Sequence, residues 1–77
     1  MTTYINNTRI DAILTVNIES VGDSKKALEI CEIGNKDVWT TLPAGLGIND
    51  VHVPAGKELR ASNNTIMTFV AVRSTSH

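Results

Sequence analysis

One cysteine, Cys31, stands in a chain of 77 residues, so no disulfide can form within it. Two histidines beside that single thiol are too few for a structural zinc site, which takes four Cys or His ligands. No cofactor motif is present. Gly45, Gly47 and Gly56 do not form a phosphate loop, because no helix follows them to hold an anion. Charge is sparse and balanced: seven Lys and Arg against eight Asp and Glu, net −1. Binding to nucleic acid needs a positive face, and these scattered cations supply none, so no nucleic-acid partner is expected. No apolar run approaches the roughly 20 residues of a membrane-spanning helix, so no membrane partner is expected either. The opening, MTTYINNTRID, has neither a basic region nor an apolar stretch. No signal peptide is expected, and synthesis in a cytoplasm is.

These absences leave a small domain without covalent staples. A chain this short buries only about 60% of its unfolded surface, and such a core rarely supplies more than roughly 3–5 kcal/mol. A partner chain is the remaining means of support, so a homo-oligomer is expected. Apolar residues make up 42% of the chain, which is ordinary for a folded protein.

The pattern that is present is mostly that of strands. In AILTVNIESV, Leu14, Val16 and Ile18 point one way and Thr15, Asn17 and Glu19 the other, the period of a half-buried strand. VGDSKK breaks it as a turn. KALEICEIG reads two ways: a helix capped by Asp23 or Ser24 and stopped by Gly34, or a strand leading through the turn GNKD into VWTTL. The hairpin favours the strand, although residues 24–33 as a helix stay open. TIMTFVAVR is apolar on both faces, with Ile66, Thr68, Val70 and Val72 on one side and Met67, Phe69 and Ala71 on the other. That predicts a central strand covered twice.

Pro-Ala-Gly occurs twice, at Pro43-Ala44-Gly45 and at Pro54-Ala55-Gly56. Each reads as a place where a ladder ends and the chain turns, with proline at the first corner position of a type I turn and glycine in the left-handed position after it. LGIND between them is expected to cross one end of the core, with Leu46 and Ile48 as plugs. The sum is one all-β domain over residues 1–77, a small antiparallel sandwich, jelly-roll-like or immunoglobulin-like, of six to seven short strands. Residues 1–9 are expected as an extended arm, with TYINN as a short edge strand the alternative, and residues 74–77 as a frayed tail.

Catalytic readings are weak. Cys31 has no histidine motif beside it and reads as a core thiol. His52 and Asp50 share a face at a spacing that suits a metal or acid–base pair, but two residues fit a surface contact as well. Asp23, Asp37 and Asp50 have no calcium-loop spacing and read as turn residues. Asn6-Asn7-Thr8 and Asn63-Asn64-Thr65 match the glycosylation triplet and read as turn chemistry. The many Asn, Thr and Ser suggest a polar, weakly charged surface suited to docking. No enzymatic activity is expected. Trp39 and Phe69 are candidates for the core or a subunit interface, with Trp39 as a ligand platform the alternative.

VWTTLPAG and VHVPAGKELRASNNTIMTFVAV, over residues 38–72, resemble the closing strands and corners of small β-sandwich virion proteins of tailed bacteriophages. The resemblance implies a non-enzymatic structural protein of the virion, made in the host cytoplasm: a capsid decoration (cement) protein, or a head-fibre or tail component. It implies assembly as a trimer and binding to the major capsid protein or another virion protein. The contact candidates are Tyr4 and Ile5 in the arm and Leu46 and Ile48 in the crossing segment. An inhibitor of a host protein and a carbohydrate- or small-ligand-binding module are the alternatives.

Overall fold

The computed structural model describes residues 3–22, 27–62 and 64–75. It is all-β, with seven strands: β1 (Thr3–Ile5), β2 (Ala12–Ser20), β3 (Leu28–Glu32), β4 (Thr40–Leu42), β5 (Gly47–Val53), β6 (Lys57–Ala61) and β7 (Ile66–Ser74). They form two antiparallel sheets, a four-stranded one in the order β1-β6-β3-β4 and a three-stranded one in the order β5-β2-β7. Every connection except β3–β4 passes from one sheet to the other. That wrapping is the jelly-roll's, and it separates β1 from β2, which an immunoglobulin order would pair. Among the described residues, β7 pairs with β2 alone and borders the sheet.

The core follows from period two. Leu14, Val16 and Ile18 of β2 are buried as expected, against Leu28, Val51, Val53, Leu59 and Met67. Each such side chain contributes about 1.5–3 kcal/mol on burial. Residues 28–32 are a strand and not a helix: Leu28 and Ile30 join the core while Glu29 and Cys31 lie on the opposite face. Asp23 to Lys26, the proposed helix cap among them, lie outside the described residues, as does Asn63.

Four expectations need correction. First, β7 is an edge strand, and β2 is the central one. Apolar residues on both faces of β7 do not mean two coverings: between its pairs Thr15↔Ala71 and Val16↔Phe69 the extra residue Val70 forms a bulge. Met67, Phe69 and Val72 thus share the inner side, and Ile66, Thr68, Val70 and Ala71 the outer one. Second, LGIND does not plug the core. It lies at the start of β5, with Leu46 and Ile48 exposed. Asp50 is in that strand and not in a turn.

Third, the two Pro-Ala-Gly triplets are different corners. At the second, Lys57 N–H donates to the Pro54 carbonyl at 3.1 Å and Gly56 has φ +81°, a type II turn with proline at its first residue. At the first, the left-handed residue is Gly47 (φ +94°) and not Gly45. What they share is location, since each carries the chain between the two sheets.

Fourth, Thr3–Ile5 are not an extended arm but the short edge strand given as the alternative. β1 pairs with β6, and Tyr4 packs edge-on against Phe69 with centroids 6.2 Å apart. Asn6, expected on the surface, is only 1% exposed. Its side chain does make the turn: Nδ2 donates to the Ile10 and Val53 carbonyls, and Oδ1 accepts from the Thr8 N–H and hydroxyl. At the other end, Thr75 bonds to the Asp11 carbonyl through N–H and hydroxyl, while Ser76 and His77 lie outside the described residues.

Candidate functional site

The outer face of the three-stranded sheet carries the surface least like ordinary solvent-facing sheet. Alternation from the buried residues of β2 and β5 sends Ile48, Asp50 and His52 outward beside Asn17, Thr15 and Ile13. On the far side of β2, Thr68, Ala71 and Arg73 stand opposite the same three residues. The rows therefore read Ile48–Asn17–Thr68, Asp50–Thr15–Ala71 and His52–Ile13–Arg73 across the sheet.

Chemistry divides this face in two. At one end Leu46, Ile48, Ile66 and Val70 are exposed by 70%, 66%, 55% and 56%. Asn17 and Thr68 lie among them, and Glu19 at the rim is the one charge there among the described residues. At the other end the charges are paired. Thr15 donates its hydroxyl to Asp50 Oδ1 at 2.6 Å, and Arg73 lies 3.5 Å from Asp50 Oδ2. The Thr15 hydroxyl, and after it Arg73, hold the Asp50 carboxyl below its usual range. Asp11 accepts from the Ala55 N–H at 2.9 Å and meets His52 Nε2 at 3.0 Å. The Ala55 N–H, then His52, lower its pKa too. His52 thus meets Asp11 and not Asp50, the pair that spacing along β5 suggested. Among the described residues, no three His, Cys, Asp or Glu side chains converge as a metal site would require.

The other expected residues are dispersed. Ile5 is exposed on the outer face of the four-stranded sheet, opposite Glu58 and across the sandwich from Leu46 and Ile48. Tyr4 faces inward, so these four residues form no single contact surface. Trp39 is not in the core and lies just outside β4. Its ring sits 3.7 Å from the Arg60 guanidinium, and its Nε1 donates to the Lys36 carbonyl at 2.8 Å. Arg60 also meets Glu29 at 3.1 Å. One face of the indole is thereby occupied by the protein itself. Phe69 is half-buried against the core.

Below that cluster, Cys31 Sγ donates to Glu58 Oε1 at 3.4 Å, both residues being buried. Burial first, and then Glu58, push the Cys31 thiol upward, so it is a protonated donor and not an activated nucleophile.

Ile66 and Val70 were not singled out in the sequence as contact residues. Their signal was the continuous apolar character of β7, which also fits a doubly covered strand. No family model matches the chain, and no curated protein and no solved structure shows significant similarity to it.

Proposed function

We propose that this chain is a non-enzymatic structural protein that docks on a repetitive protein surface, with a phage virion as its setting, as a capsid decoration protein or another particle component. The observation that carries the docking reading is the aliphatic half of the outer face: Leu46, Ile48, Ile66 and Val70 around Asn17 and Thr68. Large apolar side chains grouped on one flank of a small domain mark an interaction surface. Interleaved amides and hydroxyls supply hydrogen bonds without the desolvation cost of charges. Jelly rolls serve in capsid and lectin proteins alike, so the choice of setting rests on the resemblance of the closing strands and not on the fold.

The test is quantitative mass spectrometry of purified virus particles made with the gene intact and with Leu46→Ser/Ile48→Ser. The proposal expects the chain in the particle at a copy number matching a symmetric lattice, and its loss in the double variant. Absence of the intact chain from particles rejects the virion setting. Retention of the double variant rejects this face as the contact.

A further inference from the structure

Four strands, β1, β4, β5 and β7, pair with a strand on one side only among the described residues, and these edges are unequal. β1 and β4 are three residues each, and Pro43 follows β4 directly. At the start of β5, Asn49 Nδ2 donates to the Gly45 and Gly47 carbonyls at 2.8 and 3.1 Å, covering acceptors of its own edge. β7 is nine residues long, contains no proline or lysine, and has Arg73 as its single charge. Short edges, prolines, charged side chains, bulges and capped groups are the devices that limit strand addition. Each edge carries at least one, and β7, with a bulge and one charge along nine residues, is the longest of the four.

We infer that β7 pairs antiparallel with β7 of a second copy of this chain, joining two three-stranded sheets into one of six about a two-fold axis. A second copy fits the strand's own register. Before the bulge Met67 and Phe69 face inward, and after it Val72 and Ser74 do. Opposed residues of an antiparallel pair must share a face. The register that satisfies this along the strand sets Val70 opposite Ala71, Phe69 opposite Val72 and Thr68 opposite Arg73, with the axis between Val70 and Ala71. Without the bulge this symmetric register would put inward side chains opposite outward ones. The bulge makes it self-complementary.

Electrostatics and size agree with a second copy. Arg73 faces Thr68, and the two Arg73 residues stand five positions apart along the ladder, about 17 Å, beyond the roughly 8 Å screening length at physiological salt. A net charge of −1 gives little repulsion between copies. β7 extends about 30 Å on a molecule 33 Å long and 18 Å thick. A side wall of that size buries roughly 1,000 Å² in total, the lower bound of a specific interface. A reversible dimer follows, and not the trimer suggested by the virion resemblance. It uses main chain at the sheet edge; Val70 belongs to both this edge and the docking face, whereas Val72 on the inner side, and Leu46 and Ile48 beside β5, each belong to one alone.

The experiment is light scattering after size exclusion, from about 1 mM to about 1 μM, on the intact chain and on Val70→Lys and Val72→Lys. Both valines are more than half exposed, so either lysine is tolerated by the monomer while opposing strand addition. Circular dichroism verifies the fold of each. The expected result is twice 8.3 kDa at high concentration, with the dissociation constant raised roughly tenfold or more in both variants. Leu46→Ser/Ile48→Ser leaves the dimer unchanged, which separates this inference from the docking proposal. Val70→Cys, close to the axis, cross-links under mild oxidant into a covalent dimer. A monomer throughout, a trimer, or a dimer indifferent to both lysines overturns the inference.

Discussion

The Asn6 side chain donates from Nδ2 to the Val53 carbonyl at 2.9 Å, a contact spanning 47 residues of chain. It ties the end of β1 to the end of β5, and so one sheet to the other. The same amide holds its own loop through Ile10 and Thr8. Removing it strands several polar groups away from water. Asn6→Ala is expected to cost about 2–3 kcal/mol, lowering the melting temperature by roughly 10 °C or more. Asn6→Asp keeps the acceptor, loses both donors and buries a charge, so it is expected to cost at least as much. Thermal melts of the two variants decide it, and two unchanged midpoints would sink the argument.

Deletion of residues 2–8 follows the same logic. A free arm could be removed with only docking lost. Here the deletion takes β1, the Tyr4–Phe69 contact and Asn6 together. The expected outcome is an unfolded chain with an amide proton spectrum of poor dispersion. A folded truncated protein would restore the arm.

How far the fold could be read in advance depended on whether one periodicity had one explanation. β2 had: its alternation runs unbroken from Ala12 to Ile18, it is central, and its inward residues are those expected. β7 had two explanations. A bulge at Val70 moves the inward residues from odd to even positions, and period counting cannot see an inserted residue. Of the face proposed for docking, Leu46 and Ile48 were named in advance as candidate contacts. Ile66 and Val70 were concealed because a half-exposed apolar edge and a doubly covered strand have the same composition. Asn6 was concealed because burial of a polar side chain depends on partners 47 residues away.

Acid should weaken the sandwich through Asp11 and Asp50. Both carboxyls are lowered in the folded state, Asp11 chiefly by the Ala55 N–H and Asp50 chiefly by the Thr15 hydroxyl. A depressed carboxyl stabilises above its unfolded pKa of about 3.9. That contribution is lost as pH falls through the lower folded value. Asp11→Asn retains an acceptor for Ala55 but not the charge. Urea midpoints of wild type and Asp11→Asn are therefore expected to differ at pH 7 and to converge near pH 2. A gap that persists unchanged at low pH would remove Asp11 from this account.

Cys31 should be silent toward thiol reagents until the protein opens. Its thiol is buried and shifted upward, by burial first and by Glu58 second. Ellman's reagent is expected to label it slowly in the native protein and at once in denaturant. Cys31→Ala removes the thiol donor to a carboxylate that is 1% exposed, with an expected cost of about 1–3 kcal/mol. Fast native labelling would show that this position is open to solvent in the folded chain.

Trp39 provides the optical test of the same sheet. Its indole rests on Arg60, which Glu29 holds from β3, so the three residues link the β3–β4 connection, β3 and β6. A half-buried ring of this kind emits at intermediate wavelength, neither fully shielded nor fully solvated. Arg60→Ala uncovers the ring face and breaks the Glu29 contact while leaving the core residues in place. A red shift of the emission is expected, with a loss of about 1–2 kcal/mol from the cation–π contact and the ion pair together. Arg60→Lys keeps the charge but not the planar stack, so it should fall between the two. If the indole served instead as an open platform, Arg60→Ala would leave both emission and stability where they were. A dimer formed along β7 lies on the other sheet, and its dissociation should leave this fluorescence unchanged.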